Sequence, residues 1–298
     1  MSFLGLDMGG TATRWVLLGD AGAEIGRGTA PGANAHLFTP GALAAFEGAL
    51  AAIRAALPGP PVQRVHAGVT GYGPSSQAAV AEATARALGL ASGAVSASDD
   101  VELAFHATFA PGAGHLVMAG TGSIGVSVAA GGSVTRVGGR GILIDDAGGG
   151  AWIALRALDR LYRAIDADGD ARAAPLLAEA LAAAMGGAGW DVARAFVYGG
   201  ERGRIGQLAP AVATAAEGGC ALACGLLSEA GAELARLASA LIGRCGAAPV
   251  AAVGGVLRLS PLVRAGLAAG LPDGIPLAFP TPDAAAAAAA IARERGLK

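Results

Sequence analysis

No strong charge of either sign runs through this sequence. Lys and Arg number 21 against 23 Asp and Glu, a net charge of −2. Such a balance generates no field to draw in a polyanion, and no basic run interleaves with aromatics, so nucleic acid is excluded as a partner. Cysteine is scarce and odd in number, at Cys220, Cys224 and Cys245. That argues against a disulfide framework and for a reducing cytoplasm. Cys220 and Cys224 are four apart on a predicted helix and read as two small buried apolar side chains rather than a metal or cluster pair. The histidines, at 36, 66, 106 and 115, lack metal-ligand spacing. A long apolar run is also missing. The longest stretch without Asp, Glu, Lys or Arg, Leu103 to Thr135, holds Pro111 and glycines at 112, 114, 120, 122, 125, 131 and 132. A membrane helix needs about 20 continuous apolar residues, so this stretch reads as strands and loops and no membrane is expected. Met1-Ser2-Phe3-Leu4-Gly5 has no basic flank or apolar core of a signal peptide.

What the chain does have is alanine, glycine and order. Hydrophobic residues make up 53 % of its 298 positions, with a mean hydropathy of +0.53. The length suits one large domain or two ordinary ones. Phe3 to Asp7 reads as a buried strand, Thr13 to Leu18 as a second and Glu24 to Gly28 as a third. Thr39-Pro40 reads as a helix start, with a hydroxyl cap and then proline, and that helix runs to about Leu57. A strand from Arg64 to Val69, a helix from about Ser76 to Leu88, a strand near Val95 and a helix after Asp99-Asp100 follow. The theme restarts with strands at His115–Ala119, Ile124–Ala129 and Ser133–Val137. Helices are then expected near 152–165, 174–185, 205–216 and 220–242. A strand at Pro249–Val253, a glycine turn and an alanine-rich helix from Asp283 close the chain. The pattern is α/β with a partly parallel sheet in each half. Residues 1–110, rejoined by the last helix at 283–298, are expected to form one domain, and 111–282 the other.

Four motifs carry chemistry. In Asp7-Met8-Gly9-Gly10-Thr11-Ala12-Thr13 an acid ends a strand and two glycines let backbone approach a ligand. Thr11 and Thr13 offer hydroxyls. Such a turn places amide N–H groups around a phosphate, with Asp7 facing the Mg²⁺ that neutralises it. Gly120-Thr121-Gly122-Ser123 repeats the form in the second half, and two such turns suit one triphosphate. Gly254-Gly255, between a strand and a predicted helix, can lie against a base or ribose. Asp99-Asp100 opens a helix, where an acid is either a cap or, between two phosphate turns, a general base.

In this order the motifs resemble the sugar kinase/Hsp70/actin superfamily, and within it the N-acetylglucosamine kinase branch of the BadF/BadG/BcrA/BcrD ATPase family. The likeness covers essentially the whole chain. It implies two actin/hexokinase-like (RNase H-like) domains with an ATP cleft between them, ATP and Mg²⁺ as cofactors, and transfer of a phosphate to an amino sugar, N-acetylglucosamine or glucosamine, at O6. Asp100 matches the family's catalytic acid better than Asp99. Asn34, Thr70-Gly71 and Gly139-Arg140-Gly141 fall on its sugar contacts. Asp146, rather than Asp145, falls on its sugar-facing acid. Gly120-Thr121-Gly122-Ser123 is identical to the family's second phosphate motif, and Val253-Gly254-Gly255 matches its adenosine motif. Three departures fall beside the acceptor: Trp→Arg at 140, Glu→Ala at 147 and Ser→Gly at 149. A small-molecule sugar is the implied partner, and a homodimer is compatible with the sequence. The competing readings are an ATPase activator of a radical dehydratase or reductase, which would need a shared iron–sulfur cluster, and a non-catalytic sugar or nucleotide sensor. Zinc-containing sugar kinases of a related family are disfavoured by the absence of a Cys/His cluster.

Overall fold

A computed structural model describes all residues except 36, 38, 39, 201, 297 and 298. The expected Thr39 cap and His36 lie outside the described residues. The chain divides into two compact units: Met1–Ala110 with Thr281–Lys298, and Pro111–Pro280.

In the first unit β1 (Ser2–Met8), β2 (Ala12–Gly19) and β3 (Glu24–Pro31) form an antiparallel meander. Then come α1 (Pro40–Ala56), β4 (Val62–Val69), α2 (Gln77–Leu88), β5 (Val95–Asp99) and α3 (Asp100–His106). The sheet order is β3-β2-β1-β4-β5, with β4 parallel to β1 and β5 parallel to β4. The second unit repeats this. The meander is β6 (His115–Ala119), β7 (Ser123–Val128) and β8 (Val134–Gly138). Five helices follow: α4 (Gly150–Asp168), α5 (Pro175–Met185), α6 (Trp190–Tyr198), α7 (Ala209–Glu217) and α8 (Ala221–Cys245). Then β9 (Val250–Val253), α9 (Pro261–Ala269) and β10 (Leu277–Ala278) complete the order β10-β9-β6-β7-β8, with β9 parallel to β6. The last helix, α10 (Ala284–Gly296), packs on β1, β2 and β4 of the first sheet. No helix among the described residues is long and apolar enough to cross a membrane.

The alanine and glycine content has a packing cause. A Cβ on Gly5 would lie 2.1 Å from the Ala285 carbonyl and the Ala289 amide. Strand β1 and helix α10 therefore meet backbone to backbone, and the buried face of α10 is Ala285, Ala288, Ala289 and Ala292. Helices α8 and α9 cross in the same way, with Gly231 facing the Val263 carbonyl and Gly266 facing the Ser228 carbonyl. Larger side chains fill what remains: Leu4, Leu6, Met8, Phe46, Leu50 and Ile53 in the first core, and Leu226, Leu227, Leu234, Leu237 and Leu241 of α8 in the second.

Three elements differ from expectation. The helix expected over 205–216 is a 3-10 turn, Arg202–Leu208, followed by α7, because Pro210 in the first turn of α7 cannot donate to a preceding helical turn. Helix α6 was not anticipated. Its start follows glycines at 186, 187 and 189, its two end aromatics Trp190 and Tyr198 are exposed, and its short buried face is Ala193 and Phe196. A 3-10 turn, Val256–Arg258, separates Gly255 from α9, whose cap is the Ser260 hydroxyl accepting from the Leu262 amide at 3.2 Å.

His66, on β4, is 2 % exposed. Its ring nitrogens meet the Ser96 hydroxyl at 2.9 Å and the Ser98 hydroxyl at 3.3 Å. Burial, helped by the nearby Arg295 charge, lowers its pKa from 6.5 to about 4. The unfolded chain takes up the proton below pH 6.5 and the folded chain does so only near 4, so this residue's contribution is lost as pH falls through that window. The difference corresponds to about 3 kcal/mol. Burial raises Asp7 and Asp100 and acts in the opposite direction. The test is therefore the difference between wild type and His66→Gln in denaturant unfolding from pH 7 to 4. The gap in stability should shrink as pH falls, and a constant gap would refute it.

Candidate active site

The site residues of the first unit gather at the carboxyl ends of β1, β4 and β5. Pairing of β1 with β2 sets Asp7 opposite Arg14 and Met8 opposite Thr13, so that residues 9–11 form the turn. The turn is held from within by the Gly9 amide donating to the Ala12 carbonyl at 3.1 Å, and from outside by the Ala33 amide donating to the Gly9 carbonyl at 3.0 Å. The Thr70 amide bonds the Met8 carbonyl at 3.0 Å, and the Ala35 amide bonds the Thr70 carbonyl at 2.9 Å. This brings Thr70-Gly71 and the 32–35 segment containing Asn34 onto the same edge as Asp7. Gly71 has φ 77, which leaves the backbone free to turn away after β4.

The two acids at 99 and 100 separate cleanly. Asp99 is the cap of α3, its carboxylate accepting from the Glu102 amide at 2.6 Å. Asp100 is the first helical residue, and its Oδ2 accepts the Thr70 hydroxyl at 2.6 Å. Burial pushes the Asp100 carboxyl upward in pKa, against the Thr70 hydrogen bond that lowers it. Burial also raises Asp7, opposed by Arg14 and reinforced by the charge of Asp100. Burial raises both acids, the Asp100 charge adds to the rise at Asp7 and the Asp99 charge to that at Asp100, which makes them candidates for chemistry. Arg14, whose guanidinium is 67 % exposed and 3.4 Å from the Asp7 carboxylate, was not singled out from the sequence. The signal lay in the hairpin register, which sets position 14 across from 7.

One expectation is corrected. Thr13 is fully buried and its hydroxyl donates to the Pro31 carbonyl at 3.0 Å, so it is spent on joining β2 to β3. The exposed hydroxyl of this turn is that of Thr11.

In the second unit the turn between β6 and β7 is clamped by the start of α4. The Gly150 amide donates to the Gly120 carbonyl at 2.8 Å and the Ala151 amide to the Thr121 carbonyl at 2.9 Å. The Ser123 hydroxyl, buried, donates to the Ala147 carbonyl at 2.6 Å. A Cβ on Gly149 would stand 2.6 Å from the Gly122 carbonyl carbon, so the serine-to-glycine departure at 149 belongs to this close contact. Gly254, with φ 118, lies against Ala119, and Gly206 of the 3-10 turn lies against Thr121. The Gly-Gly-Arg-Gly segment closes β8. Gly138, Gly139 and Gly141 all have positive φ, and a Cβ on Gly139 would strike Ile124. Arg140 is ion-paired to Asp145 at 3.0 Å. Asp146 has φ 63, and a Cβ on Gly122 would lie 2.5 Å from its carboxylate Oδ2.

The glycines thereby fall into two sets. Gly32, Gly122, Gly149 and Gly254 are small because chain lies against them, whereas a Cβ on Gly10, Gly120 or Gly255 would meet nothing within 4 Å.

The family model for the BadF/BadG/BcrA/BcrD ATPase family matches residues 4–268. The chain belongs to this family. Among solved structures it is similar to a candidate N-acetylglucosamine kinase from Chromobacterium violaceum, at 26 % identity and a TM-score of 0.77 over 98 % of both chains. It is similar to another such candidate from Porphyromonas gingivalis, at 16 % identity and a TM-score of 0.77 over 99 % of both chains. A ROK family glucokinase from Streptomyces griseus, solved with glucose and AMPPNP, gives 16 % identity and a TM-score of 0.65, covering 99 % of this chain and 100 % of that one. These last two likenesses are of fold. No curated protein matched. The chain is thus a sugar-kinase-like ATPase on an actin-like α/β fold.

Gly10→Ala should leave thermal stability within ~0.5 kcal/mol, since the added methyl meets nothing, yet weaken nucleotide binding. Gly32→Ala places a methyl 2.3 Å from the Gly10 carbonyl and should cost ~1–3 kcal/mol of stability. Melting curves beside nucleotide titrations check the contrast, and equal melting losses would contradict it.

Proposed function

We propose that this chain is an ATP-dependent kinase that transfers the γ-phosphate of ATP to an amino sugar, N-acetylglucosamine or glucosamine, at O6. The observation that carries the reading is Asp100, a carboxylate raised by burial, aligned by the Thr70 hydroxyl and beside the Asp7 turn. The similarity at 26 % identity to a candidate N-acetylglucosamine kinase supports the choice of sugar.

On this reading Asp100 accepts the proton of the acceptor hydroxyl as that oxygen attacks phosphorus, and its raised pKa brings it nearer the working range of a base. Gly9-Gly10-Thr11 in the first unit and Thr121-Gly122-Ser123 in the second are each read as a phosphate-binding turn, and Gly254-Gly255 as an adenosine-binding turn. Arg14 supplies a cation beside the phosphates. Asn34, Thr70, Gly71, Gly139, Arg140 and Gly141 orient the acceptor. Mg²⁺ fits the residues present. Such an ion would be held through one or two carboxylates plus phosphate oxygens rather than a protein cage. Asp7 is such a carboxylate, raised in pKa by burial and by the Asp100 charge, a strain that a divalent ion relieves. When bound, the ion neutralises charge on the transferred phosphoryl group.

Asp100→Asn should lower kcat by about 10²–10⁴ while nucleotide affinity stays within a few fold. Asp99→Asn should instead act on stability, by ~1 kcal/mol, through the cap. The assay is ADP release over a panel of amino sugars and plain hexoses. If no sugar accelerates ADP release, or if Asp99→Asn is the crippling change, the reading fails.

A further inference from the structure

The second unit carries a groove that the phosphate chemistry does not use. It lies between α4 and α6 and has a volume of about 580 Å³. Leu155, Leu158 and Val197 give it an aliphatic floor. The chain holds only three Trp and three Tyr, yet three of these six, Tyr162, Trp190 and Tyr198, line this groove. Trp190 is 68 % exposed and Tyr198 79 % exposed. They stand at the two ends of α6 with Arg194 midway, four residues from each, so the three share one helix face. The Arg194 guanidinium lies 4.5 Å from the Trp190 ring centre and 5.6 Å from that of Tyr198, a stacking that links the three side chains. Trp, Tyr and Arg are the residues that dominate binding energy at protein interfaces. A small molecule seated in the groove would leave rings this exposed largely in water, whereas a protein surface would cover them.

The charges of the groove bear on which protein. Four line it: Asp159, Arg163, Asp166 and Arg194. Asp159 and Arg163 are spent on each other, at 2.8 Å and one turn apart on α4. Asp166 and Arg194 form no ion pair among the described residues. Each copy of the chain therefore offers one unpaired acid on the α4 wall and one unpaired base on the α6 wall. A two-fold axis through the groove turns the α4 wall of one copy onto the α6 wall of the other, and sets each unpaired charge against its opposite, twice. A partner charged with one sign would satisfy only one of the two. We propose that this face is the interface of a homodimer, in which Trp190 and Tyr198 pack onto the aliphatic floor of a second copy and Asp166 pairs with the Arg194 of that copy. The inference does not depend on the kinase reading.

Sedimentation velocity of the full chain from about 1 to 100 µM should show a dimer that dissociates on dilution. Trp190→Ala combined with Tyr198→Ala should weaken self-association ~30-fold or more. Both side chains are exposed, so far-UV circular dichroism should stay at wild type and separate lost association from lost folding. The deciding experiment is a charge exchange. Asp166→Arg sets like charges against each other on both sides of the two-fold, as does Arg194→Glu, and each variant alone should sediment as a monomer. Mixed in equal amounts, the two variants should associate again to within about tenfold of wild type, because every charge in the mixed pair then meets its opposite. A wild type that stays monomeric at the highest concentration overturns the proposal and leaves the groove to a different protein. A dimer that neither the aromatic nor the charge variants weaken also overturns it, since another face would then carry the contact. If each charge variant is monomeric and the mixture is too, the pairing of Asp166 with Arg194 is wrong and the proposal falls with it.

Discussion

Backbone lying directly on backbone is the constraint from which the rest of this molecule follows. A Cβ on Gly5, Gly32, Gly149, Gly231 or Gly254 would come within 3 Å of neighbouring main-chain atoms. Interiors packed so closely leave little room to yield when a methyl group is added. The consequence for function is stiffness in the right places. The two phosphate-type turns are not free loops. The first is laced to residues 32–35 and to Thr70, and the second to the start of α4. A turn that is ordered before its ligand arrives loses less entropy on binding.

Around that frame the electrostatics are sparse and local. Most ion pairs among the described residues are exposed, such as Arg163–Asp159 and Arg172–Asp170, and such pairs contribute little to stability. The half-buried acids Asp7 and Asp100 are different. The Asp100 charge raises Asp7, and their partners are one long contact from Arg14 to Asp7 and one hydroxyl from Thr70 to Asp100. A structure that only needed stability would gain by replacing such a pair with apolar side chains. Stability alone therefore does not account for two half-buried acids beside a glycine turn.

Much of the fold was legible in the sequence because its signals are local. Each meander announces itself as apolar run, Gly/Thr turn, apolar run, and the matching pattern after residue 115 gives a second sheet of the same order. The helix over 205–216 was misread because alanine-rich sequence carries no strong stripe, and Pro210 decides the boundary. At the site, the alternatives at 99 and 100 were visible, but only the hydrogen bonds separate cap from free acid. The fate of the Thr13 hydroxyl was not legible, since it depends on where β3 delivers the Pro31 carbonyl. Nor was the role of Arg14, which needs the register of a strand pair.

The segment from 138 to 150 shows why substitutions in a motif are better read as interactions than as losses. Position by position, arginine for tryptophan at 140, alanine for glutamate at 147 and glycine for serine at 149 look like decay of an acceptor site. In the folded chain they do three separate things. Arg140 gains a carboxylate partner in Asp145. Ala147 contributes its carbonyl, not its side chain, to the Ser123 hydroxyl. Gly149 admits the backbone of Gly122. The first contact lies within the segment, and the other two fasten the segment to the second turn. A loop held this way has fewer conformations to lose when any ligand binds against it.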